Sequence, residues 1–359
     1  MTAPTPNSPL DGAERRAAPA PTGYRVPERT SWLTIAAALT AALAVIVYHT
    51  PPAGMEVGPF GQLARHAASP LPAVAPSRDA FGKSGEVRVS FALPGAPVEV
   101  PLQVSGDPAS LAYTWVAIES GASVGGARPV VGASFVAPER PGFYRLALVH
   151  GEERRVLDDV TLAVMVPFTQ KVGATLNGYR IGTYVAERLG RRSEAPDGFV
   201  EVTPERLDLK LTKHLRLRDF LTHDDQDTWP RYAAVDPRLL DKLELVMAEL
   251  ARWRGEDSAS TRLRLGVSSA FRTPLHNRAT RFAANDSRHQ YGDAADVTVD
   301  ADGDGRMTIA DSRMVALAVE IVEMKNPELK GGMGLYTSRR YRTPYVHIDA
   351  RGTKARWRS

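Results

Sequence analysis

Two histidines and one aspartate, placed far apart in the chain, have the types and settings of zinc ligands. His289 and Asp296 lie on either side of Gly292, and the sequence DVTV that begins at Asp296 is typical of a strand, so a turn is expected to bring both side chains together. Imidazole nitrogen and carboxylate oxygen suit zinc, but two ligands do not make a site. His347, in the apolar strand YVHID, would complete a site with one position open for water, the arrangement of a hydrolytic zinc. The alternative is a satisfied core histidine and a turn aspartate.

A second pattern follows directly, in the stretch DADGDGRMTIAD, and it predicts a calcium loop. Carboxylates stand at its positions 1, 3, 5 and 12, which are Asp300, Asp302, Asp304 and Asp311. Gly305 falls where an EF-hand loop turns sharply, and Arg306 follows where the backbone carbonyl is a ligand. Aspartate in place of glutamate at the last position resembles dockerin-type loops. A strand replaces the entering helix, and we expect a structural calcium ion that braces the loop. The alternative is an Asp/Gly-rich turn that binds nothing.

Three segments together resemble a known family. SRHQYGDAAD matches the pattern S-x-H-x-x-G-x-A-x-D at every fixed position. SSAFRTPLHN resembles the loop S-x-Y/F-R-[ST]-P-x-x-N, and GGMGLYTSRRYRTPYVHID resembles a closing pair of strands. Over residues 201–359 the chain resembles the zinc D-alanyl-D-alanine carboxypeptidase/endopeptidase superfamily, which shares its fold with Hedgehog signalling domains. The resemblance implies His289, Asp296 and His347 as zinc ligands.

The same resemblance implies roles for neighbouring polar residues. Arg272 matches an arginine that faces the substrate, where its guanidinium would hold a carboxylate; the alternative is an ordinary loop salt bridge. Ser287 is expected to form a hydrogen bond near the ligand turn. Many members of the family carry an acidic general base where this chain has Pro344, and a sub-branch ending in F-V-H-V-D shares that lack. Asp349 is the nearest carboxylate, and the sequence leaves open whether it acts as the base or orients His347.

The remaining sequence predicts an α+β fold class with several units. Short alternating runs separated by Pro and Gly turns predict a small immunoglobulin-like β-sandwich, which we interpret as a spacer or docking module. Helical and strand patterns then mix in the C-terminal part, which we expect to be a Hedgehog/DD-peptidase-like zinc domain. The predicted units are a disordered cytoplasmic tail at 1–30, a transmembrane helix at 31–50, a Pro-rich spacer at 51–83, the β-sandwich at 84–167, a connector at 168–200 and the zinc domain at 201–359.

The N-terminal segment predicts export. Residues 32–48 carry no charge, and four arginines precede them, which places the N-terminus in the cytoplasm and the bulk of the chain in the periplasm or outside the cell. An uncleaved anchor in the inner membrane is favoured over a cleaved signal peptide, since no clear small-x-small cleavage site follows. A buried Ala-rich helix is the third alternative.

Composition narrows the chemistry further. The chain of 359 residues has no cysteine, which excludes disulfides, thiol catalysis and cysteine-bound zinc. Its net charge of +4 is spread over both signs without a basic block, so nucleic acid is not an expected partner. The sequence therefore predicts a zinc peptidase that acts on peptidoglycan peptides, as a cross-link endopeptidase or, alternatively, as a D-Ala-D-Ala carboxypeptidase. A catalytically silent domain that binds wall peptides or a protein is the rival hypothesis.

Overall fold

A computed structural model describes eight stretches of the chain, and every structural statement below concerns them. They are residues 74–77, 81–100, 102–105, 107–130, 134–190, 195–256, 262–337 and 341–359. The helices are α1 (Val185–Arg188), α2 (Pro237–Trp253), α3 (Pro274–Ala279) and α4 (Ile309–Lys325). Strands β1 to β10 are Val74–Pro76, Val89–Ala92, Pro97–Glu99, Leu102–Val104, Ala112–Ala117, Ser123–Pro129, Ser134–Val136, Gly142–His150, Glu153–Val164 and Val166–Pro167. Strands β11 to β19 are Thr175–Leu176, Tyr179–Arg180, Gly198–Val202, Arg231–Ala233, Leu265–Ser269, Ala294–Val299, Gly332–Tyr336, Tyr345–Asp349 and Ala355–Arg358.

The C-terminal part is built around a five-stranded sheet in the order β15-β16-β18-β17-β19. Its pairs are antiparallel except β17 with β19, which run parallel. Asp296 on β16 stands directly opposite His347 on β18, and Gly334 on β17 stands opposite His347 from the other side. The two residues expected from sequence to share a metal are therefore cross-strand neighbours at the centre of the sheet.

Helices α2 and α4 pack against each other and carry sequence signals at their starts. The Asp236 carboxylate accepts a hydrogen bond from the Arg238 amide at 2.8 Å, and a proline occupies the first helical turn of α2. Thr308 and Asp311 form a capping box at the start of α4. The apolar residues of α2 that recur at helical spacing, such as Leu239 and Leu243, are buried.

The N-terminal part contains a second five-stranded sheet in the order β2-β9-β8-β5-β6, and a two-stranded sheet of β3 and β7. Trp115, Phe135 and Tyr144 are buried in its core. The Trp115 indole donates to the Val136 carbonyl at 2.7 Å, which ties the large sheet to β7. The Tyr144 hydroxyl donates to the Arg140 carbonyl at 2.7 Å, an upstream bond typical of β-sandwich corners.

Residues between the two sheets are packed rather than extended. Tyr179 and Tyr184, in the stretch expected to be a connector, are fully buried and belong to one hydrophobic core with Val89 of the N-terminal sheet and Ile348 of the C-terminal sheet. The Asp241 carboxylate on α2 also accepts hydrogen bonds from the Lys83 and Ser84 amides, at 3.0 and 2.8 Å. The two parts are thus joined by a shared hydrophobic core and by partly buried hydrogen bonds.

The expected fold class needs one correction. It included a transmembrane helix, but within the stretches that the structure describes no helix is long and apolar enough to cross a bilayer. The longest, α2 and α4, have 17 residues each and carry charged side chains, whereas a span needs roughly 20 apolar residues. The described fold is α+β with strands predominating. The predicted units at 1–30 and 31–50, and residues 51–73 and 78–80 of the predicted spacer, lie outside the described residues.

Candidate metal centre

His289, Asp296 and His347 reach one point from three different elements. His289 lies on a single 3-10 turn (Arg288–Tyr291), which Gly292 ends in a left-handed conformation with φ of 73°. A side-chain carbon on Gly292 would stand 2.2 Å from the Ala234 carbonyl oxygen, so only glycine fits this close approach. Asp296 and His347 come from the paired strands β16 and β18. All three side chains are buried.

The distances among the three donor atoms fit a tetrahedral metal. Asp296 Oδ1 lies 3.0 Å from His347 Nδ1 and 3.3 Å from His289 Nε2, and the two nitrogens are 3.1 Å apart. A tetrahedral zinc with bonds of about 2.1 Å sets its ligand atoms roughly 3.4 Å from one another. A single divalent ion between these atoms therefore requires only small movements of the side chains.

Hydrogen bonds on the far side of each ring direct lone pairs toward the same point. His289 Nδ1 lies 2.6 Å from the Ala270 carbonyl, which only accepts, so we assign the proton to Nδ1 and a lone pair to Nε2. His347 Nε2 lies 3.2 Å from Asp349 Oδ2, which by the same reasoning leaves the lone pair on Nδ1. Two nitrogen lone pairs and a carboxylate oxygen thus face one another, an arrangement that needs a cation or a proton between them.

The close approach of the three side chains also shifts the pKa of each one. Burial raises the pKa of Asp296, but His289 and His347 outweigh it and hold the pKa well below its ordinary value. Burial lowers the pKa of His347, but hydrogen bonds to Asp296 and Asp349 prevail and raise it. For His289 burial prevails and lowers the pKa despite Asp296. The raised pKa of His347 favours a proton where a metal ion would bind, and such an ion would have to displace it.

Asp349 is committed to orienting His347. It is fully buried, and its Oδ1 accepts from the amides of Gly332 at 2.7 Å and Arg351 at 3.1 Å, while its Oδ2 faces His347. The Arg351 guanidinium adds a charged bond of 2.9 Å. Of the two roles that the sequence left open, this arrangement favours the orienting one, because no part of the carboxylate faces the cavity to accept a proton from a substrate or water.

A buried lysine on α2 supports this strand from behind. Lys242 is fully buried, and its Nζ donates to the Asp349 carbonyl at 2.6 Å and to the Glu323 carboxylate on α4 at 2.7 Å. Glu323 also accepts from the Gly331 amide at 3.0 Å and pairs with Arg356. The network connects both helices to the end of β18, which limits the freedom of the His347 backbone.

Arg272 and Ser287, the other residues singled out from the sequence, both line the cavity in front of the three ligands. Arg272 Nη2 donates to Asp296 Oδ2 at 3.0 Å, and its Nε donates to the Ser269 hydroxyl at 2.8 Å. The guanidinium therefore fixes the carboxylate oxygen that points away from the histidines. Among the described residues the Ser287 side chain has no hydrogen bond, and only its carbonyl is used, by the Gln290 amide at 3.0 Å.

The cavity has a volume of about 400 Å³ and a cationic, aromatic lining. Its arginines are Arg272, Arg281, Arg288 and Arg351, and its aromatic residues are Phe282, Tyr336, Tyr341, Tyr345 and Trp357. Apart from Asp296, the described lining contains one carboxylate, that of Asp286, which is exposed and accepts a hydrogen bond from Tyr291. Sequence reasoning missed Asp286; its place three residues before His289 was the available signal.

Trp357 forms a wall beside His347. The two rings lie 5.1 Å apart between centroids, and the indole donates to the Tyr336 hydroxyl at 3.0 Å. A side-chain carbon on Gly334 would stand 2.2 Å from the indole nitrogen, so the indole rests on a strand position that must be glycine. The pairing of β17 with the last strand, β19, thus places an aromatic ring against a ligand.

The predicted calcium loop gathers three of its carboxylates. Asp300, Asp302 and Asp304 each offer an oxygen within 4.8 Å of the others. The Asp300 carboxylate accepts from the amides of Gly303 and Gly305, both at 2.9 Å and both with positive φ. Asp302 and Asp304 are exposed. The loop is thus held in a curved form by bonds from its own amides.

Asp311 and Arg306, the other predicted calcium ligands, are placed differently. Asp311 is buried and lies outside the three-carboxylate group, because Oδ1 accepts from the Ala301 amide at 2.8 Å and Oδ2 accepts from Thr308 at 2.7 and 2.8 Å. It caps α4 and closes the loop. The Arg306 amide donates to Asp304 at 2.8 Å. Arg254 donates to the Asp300 carbonyl at 3.3 Å, which brings a positive charge to the loop.

Comparison of the chain with models of known protein families and with curated protein sequences finds no match.

Proposed function

We infer that this protein is a zinc-dependent peptidase that hydrolyses peptide bonds involving D-amino acids in cell-wall peptides, with a cross-link endopeptidase as the main hypothesis. The observation that carries the proposal is the convergence of three lone pairs, from His289, Asp296 and His347, on one point at the floor of an open cavity. The sequence patterns quoted above support the choice of zinc and of this substrate. A wall substrate implies that the protein acts outside the cytoplasm.

The chain's own residues supply the remaining functions of a hydrolase. A bound zinc ion would contribute Lewis-acid activation of water and of the scissile carbonyl. Arg272 and Arg288 present guanidinium groups to the cavity, and guanidinium pairs with the free carboxylates that wall peptides carry. Asp286 lines the cavity and is not one of the three residues proposed to hold zinc. We therefore assign to its carboxylate the transfer of the proton that the attacking water releases.

The test of the proposal is a digestion of purified sacculi, with the products separated and identified by mass. We expect released muropeptides with the zinc-loaded protein, none after zinc is chelated, and none with His289→Ala. His223→Ala is the matched control, since His223 is exposed and outside the cavity lining, and it is expected to behave like the wild type. Separated cross-linked stems identify an endopeptidase, whereas loss of terminal D-alanine alone identifies a carboxypeptidase.

The role of Asp286 has its own test. General acid–base groups contribute roughly 10²- to 10⁴-fold to rate, so Asp286→Asn is expected to lower kcat by at least about 100-fold while zinc affinity is unchanged. Asp225→Asn, a change of an aspartate outside the cavity lining, is the control. Unchanged kcat in Asp286→Asn would assign proton transfer to another group.

The rival function, a silent domain that binds wall peptides, is favoured by two observations. Pro344 occupies the place where the resembling family often has its acidic base, and Asp349 is buried and engaged on every side. The same digestion separates the two hypotheses. Identical products from wild type, chelated protein and His289→Ala, together with measurable binding of wall peptides, would support the silent domain.

We further propose that calcium binds Asp300, Asp302 and Asp304 and stabilises the loop that leaves β16. The support is the curved backbone and the gathering of three carboxylates, the oxygen-rich environment that calcium prefers. In this proposal Asp311 is not a calcium ligand; its carboxylate closes the loop by accepting hydrogen bonds from Ala301 and Thr308.

A further inference from the structure

The loop at residues 280–287 forms one wall of the metal cavity, and at its tip it exposes an aromatic side chain. Phe282 lines the cavity and is 81% exposed. A single exposed apolar residue is common on protein surfaces and by itself means little. Phe282, however, also carries the Arg281 guanidinium 4.6 Å above its ring, so a flat apolar surface and a positive charge are presented together.

The backbone of Phe282 is in a conformation that folding alone does not favour for this residue. Its φ is +65°, in the left-handed region, where glycine and asparagine are the usual residues. The other described non-glycine residue with positive φ is Asn177, which fits that rule. A bulky aromatic residue in this backbone region is a strained arrangement, and such residues cluster at functional sites.

The loop is held in place on both sides of this position. The buried side-chain amide of Asn277 donates to the Ala284 carbonyl at 2.8 Å, and that of Gln290 donates to the Asn285 carbonyl at 2.9 Å. Within the loop, the Ala283 amide donates to the Thr280 carbonyl at 3.2 Å. Phe282 is therefore fixed on the rim by bonds that do not involve its own side chain.

Other walls of the cavity are aromatic as well. Tyr336 and Tyr345 stack with centroids 4.5 Å apart and planes 6° from parallel, and Trp357 stands beside His347. An occupant of this cavity thus meets flat apolar surfaces contributed by several segments of the chain and guanidinium groups between them. That combination suits an aliphatic stem that ends in a carboxylate better than it suits a polar or cationic group.

We propose that Phe282 is a specificity-determining residue, whose ring packs on the aliphatic side chain of a substrate residue next to the scissile bond while Arg281 pairs with a carboxylate of that residue. This inference rests on the proposed function and names the class of substrate that the site selects. It also accounts for a phenylalanine at a position where the backbone favours asparagine.

The experiment measures binding and stability together, with the zinc-loaded full chain. The probe is a purified wall stem peptide with a carboxylate-bearing aliphatic side chain, titrated by calorimetry into wild type and Phe282→Asn. Asparagine tolerates the left-handed backbone and removes the ring, so we expect roughly tenfold weaker binding, since packing contacts are lost, together with a thermal midpoint equal to or above that of the wild type. Met324→Ala is the matched control, an exposed apolar residue on α4 outside the cavity lining, and its affinity is expected to equal that of the wild type.

Each outcome decides the inference. Weaker binding with preserved stability, and a smaller loss with Phe282→Leu than with Phe282→Asn, supports the apolar contact. Equal affinities of wild type and Phe282→Asn overturn it, even if the wild type digests sacculi, and in that case the proposed function survives. If the wild type neither binds the stem peptide nor digests sacculi, the inference and the proposed function both fail.

Discussion

Replacement of Asp349 by asparagine tests how the metal centre is built. The carboxylate faces His347 Nε2 at 3.2 Å on one oxygen, and on the other it accepts from the Gly332 amide at 2.7 Å. The variant keeps the shape and the second set of bonds. Its NH₂ group, however, takes the place of Oδ2 and can only donate, so it faces His347 Nε2 and Arg351 without accepting from them. His347 must then accept at Nε2 and carry its proton on Nδ1, where the metal would bind.

The expected loss follows from this change of tautomer. Substitution of a group that orients a metal-binding histidine typically weakens metal affinity about 10- to 100-fold, which is about 1.4–2.7 kcal/mol. The metal-free protein also loses the charge-assisted bonds that the Arg351 guanidinium donates to Oδ2, at about 1.5–3 kcal/mol of stability. The variant is therefore expected to fold less stably and, separately, to bind zinc more weakly.

The assay is a zinc titration in competition with a chromogenic chelator, with thermal unfolding of the metal-free protein beside it. Asp293→Asn is the control, because Asp293 is also buried and paired with an arginine, Arg288, at 2.9 Å, but bonds none of the three ligands. It is expected to lose stability and keep its zinc affinity within about twofold. Wild-type zinc affinity in Asp349→Asn would refute the orienting role and return Asp349 to a purely structural one.

Three further predictions concern other parts of the molecule. Gly334→Ala places a carbon 2.2 Å from the Trp357 indole nitrogen, so we expect overpacking to cost about 1–3 kcal/mol, with weaker zinc binding in the same titration; unchanged unfolding would show that the ring yields freely. Added calcium is expected to raise the thermal midpoint by a few degrees in the wild type and not in Asp302→Ala, whereas Asp311→Asn is expected to be destabilised even without calcium, measured by calorimetry. The bond from Arg252 and the bond and charge of Lys325 outweigh burial and lower the pKa of Glu249 from 4.5 to about 2. Because folding lowers this pKa, the ionised Glu249 stabilises the fold above pH 4.5, and this contribution is lost as the pH falls through about 2. In urea titrations, Glu249→Gln is therefore expected to be less stable than the wild type at pH 7 and as stable as the wild type below about pH 2.

The candidate ligands were accessible from sequence because local patterns placed them. Alternation of apolar and polar residues put His347 within a strand, and Gly292 indicated the turn between His289 and Asp296. The direct pairing of Asp296 with His347 across the two strands joins residues 51 positions apart in the chain, and no local pattern encodes such a contact. The resemblance supplied that contact in advance; spacing alone left the core-histidine alternative open.

Other features lay beyond sequence reasoning for specific physical reasons. The role of Asp349 stayed open because strand alternation predicts a face and not the hydrogen-bond partners on it. Lys242 reads as an ordinary polar position of an amphipathic helix, and its burial is explained by two partners on other elements, the Glu323 carboxylate and the Asp349 carbonyl. Asp311 matched a calcium position by count, but it is also the third residue of α4, and the capping box with Thr308 competes for its carboxylate.

The pairing of β16 with β18 determines by which route a metal ion bound to His289, Asp296 and His347 could leave. The strand register sets Asp296 opposite His347, with Asp296 Oδ1 and His347 Nδ1 3.0 Å apart, so these two ligands of a bound ion would stay together as long as the strands stay paired. Release of the ion is then expected to proceed by loss of one ligand from the His289 turn, the only one of the three that stands outside the sheet. Hydrogen exchange at the backbone amides of β16 and β18 is therefore expected to stay slow while a metal ion binds and dissociates by movement of the His289 turn.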